Sequence, residues 1–272
     1  MMTSTCKIAL FMGAAVVALS QAPAASAAVS LLPHRAVYDL SLADSNGQSG
    51  ISSVRGRMVM EFSGGACEGY TTNFRFVLTL VDSESKDMLT DLRTTTFESP
   101  EGNAFSFLSQ TYTNDVLTQE VKGAASKDGG NVRIQLQSPA DRTVDLAPAV
   151  VFPTQNLRDL ISAAQAGENL LEAKIFDGVD DGDRASDTTA IIGAAKLASH
   201  DGPAARLAGM KHWPVSVSYF DPAVHDDKPP EYTVAFDLYA NGVADDLMLD
   251  YGDFKLAGRM ASLETLPKDA CD

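Results

Sequence analysis

The 272-residue chain sets 21 Lys and Arg against 36 Asp and Glu, a net charge of −15, and carries three cysteines. A surface this acidic repels phosphate backbones and anionic headgroups, which argues against nucleic acid and against direct docking on a lipid surface. Its length suits one large β domain or two small ones, and no internal repeat is strong enough to favour two.

At the N-terminus Lys7 precedes the apolar run Ile8 to Leu19, and Ala25-Ser26-Ala27 follows as the small-x-small cleavage signal of a secretory leader. The run falls short of the roughly 20 apolar residues that a transmembrane helix needs. Cys6 precedes the run, whereas a lipid-modified cysteine would follow it, so Cys6 leaves with the leader. Export to the periplasm, cleavage after Ala27 and a mature single domain over 28–272 are expected. Cys67 and Cys271 remain, an even pair in an oxidising compartment, and are read as a disulfide, with two free thiols as the alternative.

From residue 34 onward apolar residues recur with period two, the pattern of strands with one buried face. Ala36, Tyr38, Leu40 and Leu42 form one set; Met58, Met60 and Phe62 a second; Tyr70, Phe74, Phe76, Leu78 and Leu80 a third. Shorter alternations follow at Phe105 and Phe107, at Val132 to Leu136, at Val215 to Tyr219 and at Val234 to Leu238. Asn46-Gly47, Gly64-Gly65, Pro100 to Asn103, Asp128 to Asn131 and Asn241-Gly242 supply turn chemistry between them, so successive strands should be antiparallel neighbours. One segment differs. After Phe152-Pro153, Thr154 is placed as an N-cap; Leu157, Leu160, Ile161 and Ala164 share a helical face, and Gly167 ends the helix. The fold class is all-β with one main α-helix near the middle.

Chemistry is sparse. Asp177, Asp180, Asp181, Asp183 and Asp187 crowd one segment with Gly178 and Gly182, but the DGVDDGD order lacks the alternate carboxylates and closing glutamate of a calcium loop, and a solvated acidic hairpin is the plainer reading. His34, His200, His212 and His225 are each isolated, without ligand spacing for a metal. His225 and Asp226 are adjacent, which in a strand sends them to opposite faces. Nucleophile-elbow, phosphate-loop and dinucleotide signatures are absent from the sequence, so neither a metal nor another cofactor is called for. Trp213, the lone tryptophan, lies near Tyr219 and Phe220 and is read either as an aromatic lining a groove or as a core anchor.

These segments together, HRAVYDLSLA after the leader, RGRMVMEFSGGACEGY around Cys67, FPT before the helix, FDG at 176–178 and a cysteine one residue from the end, resemble the EipB family of alphaproteobacterial cell-envelope-integrity proteins. The resemblance covers the whole mature chain. It implies a long spiralling antiparallel sheet, an open and incomplete barrel whose concave side is similar to the lipoprotein carriers of the Lol system. It also implies a disulfide between the cysteine of the SGGxC segment and one near the C-terminus, matching Cys67 and Cys271. A periplasmic tetratricopeptide-repeat protein is among the partners it implies, and it brings no catalytic residues.

The expected function is non-enzymatic: envelope maintenance by binding a protein or lipidated partner on the concave face. The rival is an envelope-acting hydrolase with a site assembled from scattered Asp and His residues. An open sheet whose terminal strands lack a partner on one side would also need the disulfide as a staple.

Overall fold

The computed structural model describes residues 29–268 except 48, 147, 200–201 and 224–227. The leader with Cys6 and its cleavage site, His200, the His225-Asp226 pair and Cys271 lie outside these residues.

The elements run β1 (His34–Ser45), β2 (Ile51–Gly65), β3 (Gly69–Asp82), β4 (Asp87–Glu98), β5 (Ala104–Thr113), β6 (Val116–Asp128), β7 (Asn131–Ser138), β8 (Arg142–Leu146) and β9 (Val150–Val151). After α1 (Pro153–Ala166) come β10 (Leu170–Ile175), β11 (Ser186–Ile192), β12 (Lys196–Leu197), a 3₁₀ turn (Gly202–Leu207), β13 (Lys211–Phe220), β14 (Tyr232–Tyr239), β15 (Ala244–Asp250) and β16 (Phe254–Thr265). All sixteen strands belong to one sheet, ordered from β8 back to β1, then β16 to β13, β11, β10 and β9, with β12 paired to β13. Every pairing is antiparallel except β9 on β10. The sheet curls into a nearly closed barrel with one seam.

This order corrects one expectation. The first and last strands are not edges: β1 pairs β16 along nearly its whole length, from His34 opposite Thr265 to Ser45 opposite Phe254. The edges are the short β8 and β9.

Rungs across β1 to β4 place Tyr38, Met58, Phe76 and Leu92 on one face and Asp39, Arg57, Val77 and Asp91 on the other. The first face is the barrel interior, so the period-two pattern reads directly as inside against outside. The Gly129-Gly130 turn between β6 and β7 has both residues at positive φ, 57° and 91°, as a tight hairpin requires. Gly64-Gly65 is different: both residues stay in β2, opposite Tyr70 and Gly69, and the chain reverses at Ala66-Cys67-Glu68. A Cβ on Gly64 would lie 2.1 Å from the Gly69 carbonyl oxygen, so this position is glycine because two backbones nearly touch.

The register gives the barrel two ends. His34, Phe62, Glu98, Leu238 and Thr265 sit toward one, the floor, and Ser45, Thr113, Tyr219, Tyr232 and Phe254 toward the other, the mouth.

Candidate functional site

The floor is built by α1. Thr154 is not its cap. The N-cap is Phe152, extended at φ −94° and ψ 163°, and Pro153 opens the helix, where its missing N–H costs nothing. The capping acceptor comes instead from the end of β4: the Glu98 carboxylate receives the Thr154 N–H at 2.8 Å and the Gln155 N–H at 2.9 Å. Glu98 is 3% exposed, and burial pushes its carboxyl up while these two N–H groups pull it back. At the far end Gly167 takes φ 81° and its N–H reaches back to Ala164. Leu160, Ile161, Ala163 and Ala164 then pack on Phe62, Val215, Val217 and Leu238 of the sheet.

Where the helix start meets β1 to β3, the packing leaves a half-enclosed cavity of about 170 Å3. Leu31, Met60, Phe62 and Leu157 supply apolar wall, and His34, Thr72, Thr154 and Asn241 are the polar residues that line it. His34 is 2% exposed. Its Nδ1 lies 2.7 Å from the Leu32 carbonyl oxygen, an acceptor, so Nδ1 carries the proton and donates. Its Nε2 has no hydrogen-bond partner among the described residues. Burial lowers the pKa of this imidazole and keeps it neutral, against the smaller opposing effect of the Leu32 bond.

The mouth is aromatic. Tyr219 and Tyr232 stack at 4.4 Å, and Tyr251 and Phe254 continue the row at 6.2 and 5.0 Å. Behind them sits Asp177, whose carboxylate accepts the Val179 N–H at 3.1 Å. Burial pushes this carboxyl up to about 6, Asp180 adds to the shift, and Arg184 opposes it. Within this acidic hairpin Asp180 and Asp181 are exposed and Asp177 is half-buried, and Arg184 ties Asp180, Asp221 and Glu231 together at 3.1, 3.1 and 3.5 Å. Gly178 is there for contact, since a Cβ on it would lie 2.4 Å from the Phe107 ring.

The other sequence candidates scatter. Cys67 sits in the exposed β2–β3 turn at the floor end. Trp213 is 2% exposed and belongs to the core beneath α1, with Leu160 and Ile161, instead of standing on an open groove. His212 is buried against Tyr239, ring centroids 5.1 Å apart, with its Nε2 3.5 Å from Asp237. Three arrangements were hidden from sequence reasoning: Glu98 on the helix, the withdrawal of Asp177, and Asp91 on the outer face. Asp91 takes Arg75 and Arg93 at 2.8 and 2.7 Å, and their guanidinium groups hold its carboxyl down at about 2.

Fold and site together define a barrel-like β protein with an apolar interior, floored by one helix, closed along a seam and lined by few ionisable groups. A model of the EipB-like family matches residues 25–267, and the chain belongs to that family. It is 40% identical over 245 residues to the cell envelope integrity protein EipB of Brucella abortus strain 2308, spanning 89% of this chain and 87% of that one. Among solved structures, a beta-barrel-like protein of a domain of unknown function from Brucella abortus superposes with a TM-score of 0.83 at 40% identity, covering 88% of this chain and all of that one.

Proposed function

We propose that this chain is a non-enzymatic periplasmic factor that supports envelope integrity by holding a protein or lipidated partner against the concave interior of its barrel. The observation that carries the reading is the floor cavity, a half-enclosed apolar space between α1 and β1 to β3. Such a space suits an apolar side chain or an acyl end better than a reacting polar substrate. The 40% identical relative named for envelope integrity supplies the biological setting. No described helix is long and apolar enough to cross a membrane. A periplasmic tetratricopeptide-repeat protein or a lipidated ligand is the partner we favour.

The test is affinity capture from periplasmic extract under non-reducing conditions, with protein and lipid mass spectrometry of the eluate. One dominant partner protein or a set of acyl chains should be recovered, and should be lost when Leu157→Trp fills the cavity. Recovery unchanged by Leu157→Trp, or turnover of envelope material by the purified protein, would overturn it.

A further inference from the structure

A second cavity at the floor end, of about 450 Å3, adjoins the first, since Leu31 and Asn241 line both. The backbone pins its frame: the Leu32 N–H donates to the Asn241 carbonyl and the Leu266 N–H to the Pro33 carbonyl, each at 2.9 Å, and the Met210 N–H returns to the Leu207 carbonyl at 3.0 Å. Leu31, Leu207 and Leu263 are buried and form its base, whereas Arg206, Thr265 and Lys268 are exposed and stand at its rim. Charge here runs against the rest of the molecule. The chain's net charge is −15, yet none of the ten described residues lining this cavity is acidic and two, Arg206 and Lys268, are basic. Neither has an ion-pair partner among the described residues. An apolar base beneath a guanidinium and an ammonium is complementary to a molecule with a hydrocarbon tail and an anionic head.

We infer that this cavity binds one free fatty acid, its tail against Leu31, Leu207, Met210 and Leu263 and its carboxylate at Arg206 and Lys268. The site is separate from the barrel interior that the binding reading uses, and it takes a different ligand. The head decides between amphiphiles. The acyl group of a lipidated protein is joined through a neutral ester or amide and gives the two cations nothing to pair with, and an ammonium head meets like charge. A carboxylate matches the planar fork of Arg206 and the point charge of Lys268. Size follows from volume: a cavity of about 150 Å3 accommodates the six heavy atoms of benzene, so this one takes about 18, one chain of roughly 12 to 16 carbons and not a two-chain phospholipid. An anionic bilayer is opposed by the charge of the whole molecule.

The experiment uses the mature chain at pH 7 and single-chain probes below their micellar concentrations. Calorimetry should find one dodecanoate bound per chain, about tenfold more tightly than dodecanol, and no binding of dodecyltrimethylammonium. Octanoate, four methylenes shorter, should bind at least about tenfold more weakly, since each buried methylene is worth up to about fourfold. Arg206→Gln and Lys268→Gln, both at exposed positions, should each weaken dodecanoate about threefold and together about tenfold, with dodecanol unaffected, and added salt should narrow the same gap. With methyl-labelled methionine, the Met210 signal, identified by its loss in Met210→Leu, should shift when the wild-type protein is saturated with dodecanoate. Leu157→Trp, which fills the neighbouring cavity, should leave dodecanoate affinity unchanged. Equal affinity for dodecanoate and dodecanol, indifference to both glutamine substitutions, or an unmoved Met210 methyl at saturation would each overturn the inference. So would loss of dodecanoate in Leu157→Trp, which would put the tail in the first cavity, or co-sedimentation with phosphatidylglycerol vesicles, which would make this surface a membrane contact. Dodecanoate binding that survives where partner capture fails would refute the interior reading and leave this site standing, and the reverse outcome would refute this site alone.

Discussion

Asp177 and Glu98 are carboxyls that the fold withdraws from water, each with consequences for stability. In the unfolded chain Asp177 releases its proton near 3.8, and in the native state near 6. Between those values the folded protein binds more protons than the unfolded one, so this residue makes stability fall as pH rises through that window. The groups facing it are Asp180, Arg184, Tyr219 and Tyr232, of which only Arg184 favours the charged form. Asp177→Asn keeps an oxygen for the Val179 N–H, and should stabilise the protein at pH 7 by about 1–2 kcal/mol while flattening the pH 4 to 6 slope. Urea titrations at pH 4, 5, 6 and 7 measure it; an unchanged slope refutes it. Glu98→Ala acts the other way, leaving the Thr154 and Gln155 N–H groups of α1 buried without their acceptor. A loss of about 1–3 kcal/mol is expected, read as a lower urea midpoint at constant m-value. Glu98 is not conspicuous in the sequence, because what matters is a contact between β4 and α1, 56 positions apart for Glu98 and Thr154.

The elements that could be read in advance are those in which one physical preference dominates. In α1 the stripe Leu157, Leu160, Ile161 and Ala164 and the left-handed Gly167 are local signals, and the helix lies where they place it. Its start was harder, since proline at the first helical position and a carboxylate borrowed from β4 together do the work that a Thr154 cap would have done. Strands with a wet and a dry face, such as β7 with Val132, Ile134 and Leu136 inward, were equally plain. Strand β4 was not: Thr90, Thr94 and Thr96 fall on the same inward face as Leu92, so hydroxyls stand where apolar residues would mark a core. The two-residue strands β9 and β12 carry no pattern at all. The helix must hold the floor shut for the cavity to exist. Leu160, 3% exposed against the sheet, should therefore cost about 2–5 kcal/mol when cut to alanine. Thermal unfolding should show a fall of many degrees, and a change under 1 kcal/mol would mean that α1 is a peripheral flap.

At the scale of the whole molecule, the resemblance to a known family carried more than the residue pattern did: periodicity predicts antiparallel neighbours, but not that β1 closes on β16 or that the seam falls between β8 and β9. That closure changes what the expected Cys67–Cys271 disulfide would do. β2 and β16 flank β1 and run the same way, with Phe62 and Thr265 both opposite His34. Their ends leave the floor about 10 Å apart, two strand spacings. Cys67 follows Phe62 by five residues and Cys271 follows Thr265 by six, and a segment of that length spans up to about 20 Å. The Leu266 N–H bonds the Pro33 carbonyl, which keeps the residue after β16 at this end of the sheet. We therefore propose the bridge as a strap across β2, β1 and β16. Because β16 is hydrogen-bonded on both sides, by β1 and β15, cutting the strap should not peel it away. Its effect should lie in the unfolded chain, where a closed loop of about 200 residues is worth about 5 kcal/mol in the chain-entropy model. Reduction, or Cys67→Ser, should lower the melting temperature by many degrees while hydrogen exchange in native β16 stays near that of β1. Two titratable thiols in the exported protein together with a melting temperature indifferent to reductant would refute the bridge, and selective loss of protection in β16 would refute the strap.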